Sequence, residues 1–276
     1  MVSSEQRRRE AARKKYLRQQ ERREAARRRA RTRTAVIASA LAVVLAGGAA
    51  VYAVGGIGGD DKDTAAKAPE TPEPTKAADP CEKPAPGKVK KMSFQKEPKL
   101  TVDTDADYTM NLATTCGDIP LELDAKNAPH TVNSFDFLAG EGYFDHTKCH
   151  RLTSAGIYVL QCGDPEGTGA GDPGYTIPDE NLKSKKLKGG VYPAGTVAMA
   201  NRYNAQDDSN RDSGGSQFFL VYQDSQLPPD YTPFGTVSKE GMEVLRKIAE
   251  AGEQTGMGDG APNATVVIDK ATVEKS

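Results

Sequence analysis

Two stretches of the chain hold the side chains whose types and spacing could do chemistry. Cys149-His150-Arg151 leads into Val159-Leu160-Gln161-Cys162-Gly163-Asp164, and further on come Met199-Ala200-Asn201 and Gly215-Ser216-Gln217-Phe218-Phe219. They set one arginine among amides and apolar side chains. Such a surface can hold and polarise a substrate without making or breaking its bonds. Covalent alternatives fail on spacing. Cys149 and His150 are adjacent, so on a strand they point to opposite faces and cannot form a thiol–imidazole dyad. His150 is expected in the core with its nitrogens satisfied, and His130 and His146 at the surface. Gly214-Gly215-Ser216 is not a nucleophile elbow. Gly167-Thr168-Gly169-Ala170-Gly171 lacks the Lys-Ser/Thr and the helix of a phosphate loop. The cysteines include no CxxC pair, and the histidines are not spaced as zinc ligands. No cofactor is expected.

Alternation along strands assembles a site. Cys149 and Arg151 share one face, as do Val159 and Gln161, and Gln217 and Phe219, while Phe218 turns to the core. Arg151, Gln161, Gln217 and Phe219 can therefore line one exterior groove. The same argument turns Cys162 away from Cys149 and disfavours a bridge between them.

The elements that must position these residues are short. Tyr108–Thr114 and Ile119–Leu123 read as strands joined across Cys116-Gly117-Asp118. Pro129 opens a helix with Val132, Phe135, Leu138 and Ala139 on one face, ended by Gly140 and Gly142. Short strands follow to about Val237. A second helix from Glu240 to about Ala251 points Met242, Leu245, Ile248 and Ala249 inward and stops at Gly252. A last strand spans Thr265–Val273. Many short strands and two helices imply a mainly β fold, a barrel capped by helices, over residues 99–276.

The net charge of −1 conceals an asymmetry: residues 1–34 carry +10 and the remainder −11. Residues 35–59 are uncharged, and Ala35–Val54 is almost wholly apolar. At about 1.5 Å per residue such a helix spans the roughly 30 Å hydrocarbon core. The flanking arginines then place the N-terminus in the cytoplasm and the chain after Asp60 outside. A cleaved signal peptide is the rival reading, against which the long basic leader argues. Residues 1–34 read as a solvated basic helix with i,i+4 pairs Glu10/Lys14 and Glu24/Arg28. With Tyr16 as its one aromatic, topology and anionic headgroups account for its charge, and no nucleic acid is expected. Residues 60–98 have the composition of a proline-stiffened tether. The four cysteines, Cys81, Cys116, Cys149 and Cys162, fall on the outer side, where disulfides are favoured; they allow three pairings.

From Tyr108 to Val273 the chain resembles the cyclophilins, the cyclophilin-type peptidyl-prolyl cis-trans isomerases. The likeness rests on Ala128-Pro129-His130-Thr131-Val132-Asn133-Ser134-Phe135, Gly142-Tyr143-Phe144-Asp145, His150-Arg151, Gln161-Cys162-Gly163-Asp164-Pro165, Pro178-Asp179-Glu180-Asn181, Ala198-Met199-Ala200-Asn201, Gly215-Ser216-Gln217-Phe218-Phe219 and Phe234-Gly235. The resemblance implies a closed eight-stranded antiparallel barrel with a helix over each end, in a bacterial envelope setting. It implies Arg151 as the catalytic residue and Gln161, Asn201 and Gln217 as binders of the peptide. Phe219 would floor a proline pocket walled by Val159, Leu227 and Tyr158. Tyr231 stands where many eukaryotic relatives carry histidine, and Gln226 about where drug-binding relatives carry tryptophan.

Three features depart from the family pattern. Arg151 and Gln161 lie two positions further apart than in compact members, so Ser154–Ile157 is expected to form a longer turn. A polar insertion, Arg202–Asp212, separates Asn201 from Gln217. The chain has no tryptophan. The function expected is a membrane-anchored, monomeric isomerase acting on X-Pro bonds of exported proteins, its partners being proline-containing polypeptides. The alternative is a module that binds such segments with little turnover.

Overall fold

The computed structural model describes residues 79–276. The basic segment 1–34, the apolar segment 35–59 and the linker as far as residue 78 lie outside the described residues. No helix among the described residues is long and apolar enough to cross a membrane.

Burial alternates along Tyr108–Thr114 (β1), with Tyr108, Met110 and Leu112 inward, and along Gly117–Leu123 (β2), with Ile119, Leu121 and Leu123 inward. This is the period of a strand with one face on a core. The hairpin between them turns at Gly117, whose φ of +121° suits glycine. Pro129–Gly140 forms α1. Its N-cap, Ala128, has no side chain to accept a hydrogen bond. Glu180 supplies the missing acceptor from a distant loop: its carboxylate accepts from the N–H groups of His130 at 3.1 Å and Thr131 at 2.9 Å. An anion there also opposes the positive end of the helix dipole.

After α1 come Thr147–Lys148 (β3), Arg151–Ala155 (β4), Ile157–Cys162 (β5), a 3₁₀ turn at Lys188–Gly190, Val191–Tyr192 (β6), Thr196–Met199 (β7), Phe218–Val221 (β8), Ser225–Gln226 (β9) and Pro233–Val237 (β10). Lys239–Glu250 (α2), Asp259–Gly260 (β11) and Val267–Lys275 (β12) complete the chain. The second helix is capped by Ser238, whose Oγ accepts from the Gly241 N–H at 3.0 Å.

Ten strands form one curled antiparallel sheet in the order β11-β4-β5-β8-β7-β10-β2-β1-β12-β3, and β6 pairs with β9. The architecture is mainly β with two helices, as expected. In place of the expected closed eight-stranded barrel, the sheet has ten strands and runs from β11 to β3, and the chain through Cys149 and His150 links β3 at one end to β4, the strand next to the other end. Inside the curl, Phe135 of α1 meets Phe144, Phe218 and Phe234 at centroid distances of 5.3, 5.4 and 4.6 Å. Burying each such ring contributes on the order of 1.5–3 kcal/mol.

Residues 79–98, read from composition as the end of a tether, lie on this body without regular secondary structure. Phe94 packs edge-on against Phe137 at 4.9 Å, its N–H donates to the Pro173 carbonyl, and Cys81 is disulfide-bonded to Cys116. Composition averages over a segment and misses a few such anchors.

The second disulfide joins Cys149 to Cys162, correcting the sequence argument against that pair. The alternation rule fails there because the chain changes partners: the Cys149 N–H donates to Val266 O, and the next N–H, of His150, donates to Gln161 O. The extra residues between Arg151 and Gln161 likewise do not make a longer turn. They lengthen the hairpin, Ser154 pairing with Tyr158 and Ala155 with Ile157, with Gly156 at its tip at a φ of +80°.

Candidate active site

Cross-strand register lines up the key residues. Arg151 of β4 pairs with Gln161 of β5, Gln161 with Phe219 of β8, and Phe219 with Ala198 of β7. The next line on the same face is Thr153, Val159 and Val221. Directly paired residues share a face, so the arginine, the amide and the aromatic ring form one row on the outside of the curl.

The polar part of the row is a directional chain. Arg151 Nη1 donates to Gln161 Oε1 at 3.2 Å, Gln161 Nε2 to Gln217 Oε1 at 2.9 Å, and Gln217 Nε2 to Gly171 O at 2.9 Å. On its other side the guanidinium makes a two-pronged ion pair: Nε and Nη2 each donate to the Asp259 carboxylate at 2.8 Å. The side chains are 40% and 56% exposed, so the pair stabilises the fold by about 0–1 kcal/mol. Asp259 holds Arg151 above its ordinary pKa, and Arg151 holds the Asp259 carboxyl below its own.

The apolar part is a second cluster separate from the core: Val159, Leu187, Tyr192, Ala198, Phe219 and Val221, with Ala200, Leu227 and Tyr231 packed against it. Phe219 meets the Tyr231 ring edge-on at 5.4 Å. The Tyr192 hydroxyl donates to Tyr231 O at 2.7 Å and accepts from the Tyr231 N–H at 3.2 Å, fixing that wall. Burial pushes the Tyr192 hydroxyl far above its ordinary pKa, so it stays protonated.

Beside this pocket lies a cleft of about 270 Å³ lined by Gln161, Gly171, Asn201, Arg202, Ser213 and Gln217 among others. The side chain of Asn201 is committed elsewhere, Nδ2 to Asp230 O at 2.7 Å and Oδ1 to the Tyr203 N–H at 3.2 Å. The insertion Arg202–Asp212 is tied down at its end, with the Arg211 guanidinium 3.3 Å from the centroid of the Tyr203 ring and 3.0 Å from Asp230 Oδ1. The opposite side of the cleft rests on Asp164, which is fully buried. Burial alone would raise its pKa, but the N–H groups of Glu166, Gly169, Gly171 and Thr168 outweigh burial and hold it below its ordinary value.

The structure thus brings together Arg151, Val159, Gln161, Gln217, Phe219, Leu227 and Tyr231, with Asn201 at the cleft. Tyr158 is set apart: it alternates with Val159, and its ring packs on Tyr222 at 5.9 Å. His150 is half-buried, desolvation holds it below its ordinary pKa, and neither ring nitrogen has a protein partner, unlike the satisfied core histidine expected. With Cys149 oxidised, no thiol stands beside it. Sequence reasoning missed Leu187, Tyr192 and Ala198 as pocket residues and Asp259 as the partner of Arg151. Of these, only Ala198 carried a signal, its place in the strand before Asn201.

The fold and the site together define a curled sheet that carries a guanidinium, amides and an apolar pocket side by side on one face. The chain belongs to the cyclophilin family: the family model described as "Cyclophilin type peptidyl-prolyl cis-trans isomerase/CLD" matches residues 109–273. It is similar to "Probable peptidyl-prolyl cis-trans isomerase B" of Mycobacterium leprae, 44% identical over 212 residues that cover 74% of this chain and 65% of the relative. The Mycobacterium tuberculosis protein of the same description is 41% identical over 212 residues, covering 74% and 62%. The chain therefore spans a little under two thirds of these relatives. Among solved structures, a Cryptosporidium parvum cyclophilin type peptidyl-prolyl cis-trans isomerase aligns with a TM-score of 0.51 at 26% identity, covering 62% of this chain and 99% of that one. The same protein solved in the presence of the dipeptide Ala-Pro gives 0.50.

Proposed function

We propose that this chain is a peptidyl-prolyl cis-trans isomerase acting on X-Pro bonds of exported or envelope proteins. The observation that carries the reading is the register row in which Arg151, Gln161 and Phe219 sit side by side on adjacent strands. Rotation about an X-Pro bond breaks amide resonance, with a barrier of roughly 18–20 kcal/mol. In the twisted state the proline nitrogen becomes pyramidal and regains its lone pair. A guanidinium aimed at that nitrogen stabilises the twisted state more than the planar one, which is what catalysis requires. Arg suits the task because it stays charged and its donors are fixed in a plane.

The apolar cluster around Phe219 holds the ring, and the pyrrolidine needs no polar partner there. Gln161 and Gln217 hold the flanking peptide, while Asn201, its side chain engaged internally, offers its backbone. The bacterial relatives support the activity, and the apolar segment 35–59 supports a single-pass anchor with the folded region outside the cytoplasm.

Protease-free prolyl isomerisation by the full chain, beside Arg151→Ala, tests the reading. The wild type should accelerate exchange well beyond the uncatalysed tens of seconds, and the variant should lose about 10²–10³ in rate, as for removal of one transition-state donor. A folded wild type that binds proline peptides without any acceleration would sink the enzyme reading and leave a binding module. Reporter fusions after residue 78 test the topology, and activity of a cytoplasm-only reporter would reverse it.

A further inference from the structure

We infer that Asp259 is a positioning residue for the isomerase reaction, fixing the plane of the Arg151 guanidinium against the groove. This rests on the reading that Arg151 polarises the twisted amide. The geometry comes from the pairing of β11 with β4, in which Asp259 lies opposite Thr153 and Gly260 opposite Leu152. Thr153 and Arg151 share a face, so Asp259 is the diagonal neighbour of Arg151, within reach of a long side chain.

The loop that delivers it is built for the purpose. Buried Glu253 accepts from the N–H groups of Thr255 at 2.6 Å and Gly258 at 2.8 Å, and Gly258 O accepts from the Ser154 N–H at 2.9 Å. Gly258 has a φ of +89°, and a Cβ there would come within 2.4 Å of Ala155 Cβ, so the loop can lie this close to β4 only with glycine at that position. Asp259 then takes the Nε–H and one Nη2–H of Arg151, and Gln161 takes one Nη1–H. Of the five guanidinium donors, one on Nη1 and one on Nη2 remain for the substrate. A flexible arginine at a groove would otherwise have to order its side chain in each turnover, and a misplaced group costs rate steeply. The ion pair is half exposed and adds little to stability, so its orienting effect is the larger one.

The test uses the full chain and its Asp259→Asn, Asp259→Glu and Arg151→Ala variants. Each is assayed for kcat and KM on a proline tetrapeptide, and the Arg Nε–H resonance of Arg151 is followed by NMR. Asp259→Asn should lower kcat about ten- to a hundredfold with KM within about twofold, because orientation and not binding is lost. The Arg151 resonance should move into the envelope of exposed arginines. Asp259→Glu, which keeps a carboxylate, should recover most of kcat and the resolved resonance. If Arg151→Ala is inactive but Asp259→Asn is as fast as wild type, the positioning role falls while the arginine reading stands. If Arg151→Ala keeps its activity, the reading beneath the inference falls. A rise in kcat on removing the carboxylate, or a Glu variant as slow as the Asn one, also overturns it.

Discussion

Reducing the disulfide Cys149–Cys162 alone should cost stability and spare most of the activity. The bond closes a short loop, with a sequence separation of 13, whereas Cys81–Cys116 has a separation of 35. If a cross-link acts by restricting the unfolded chain, these loops correspond to about 3 and about 4 kcal/mol. For a folded region of this size, 1 kcal/mol moves the melting point by about 2–4 °C, so loss of the shorter loop should lower it by roughly 6–12 °C. The native hairpin has a backbone ladder of its own, in which Arg151 pairs with Gln161, and this pairing should outlast separation of the sulfurs. Cys81→Ala/Cys116→Ala leaves the short loop as the one reducible bond, and Cys149→Ala/Cys162→Ala leaves the long one. Thermal unfolding of each, with and without a phosphine reductant, isolates each contribution, and isomerisation at 25 °C reads the site. A shift below about 2 °C on reducing the short loop, or a larger shift there than for the long loop, would refute the chain-entropy reasoning. Loss of activity at a temperature where the reduced protein is still folded would show that the bond, not the ladder, aligns Arg151 with Gln161.

Two further outcomes follow from the same geometry. Phe219→Leu keeps most of the apolar volume but removes the ring that meets Tyr231, so kcat/KM for X-Pro peptides should fall about tenfold, chiefly through KM; a wild-type KM would remove Phe219 from the pocket. Asp164→Asn should cost about 3 kcal/mol at pH 7 in urea unfolding, because a buried carboxylate held by several N–H groups is lost. Its folded pKa is depressed, so its contribution is fully present above the unfolded value near about 3.9 and disappears as pH falls through the folded value. The gap between wild type and variant should therefore close in acid below about pH 4, and a gap independent of pH would show that charge plays no part.

How far the sequence could be read depended on whether a residue's environment is set nearby. The inward faces of both helices, with Val132, Phe135 and Leu138 on the first and Met242, Leu245 and Ile248 on the second, follow from a period of 3.6. The row of Arg151, Gln161 and Phe219 follows from a period of two, since all three lie within strands. The same rule failed at Cys149, one residue before the ladder to β5 begins, where the backbone still bonds to Val266. Asp259 was illegible because β11 has two residues and no pattern of its own. Its role comes from a loop held by Glu253 and admitted by Gly258. Tyr192 sits in another strand of two residues and reaches the pocket through the β6–β9 pair. The anchoring of residues 79–98 depends on Phe94 and Cys81, single side chains in a stretch whose composition otherwise reads as tether.

The ends of the polar row explain why its middle is ordered. Arginine can only donate and the Gly171 carbonyl can only accept, so the two amides between them have a single satisfying orientation. Gln161 must present its oxygen to Arg151 and its nitrogen to Gln217, and Gln217 must do the same toward Gly171. Gly171 is itself placed by the loop that Asp164 gathers, and Arg151 by the loop that Glu253 gathers. Two carboxylates, Asp164 and Glu253, thus hold the loops at the two ends of the row of hydrogen bonds that runs from Arg151 to Gly171. Donors already aimed where charge develops need no reorganisation at the moment of rotation, and that is the condition under which a lone guanidinium can lower an amide barrier.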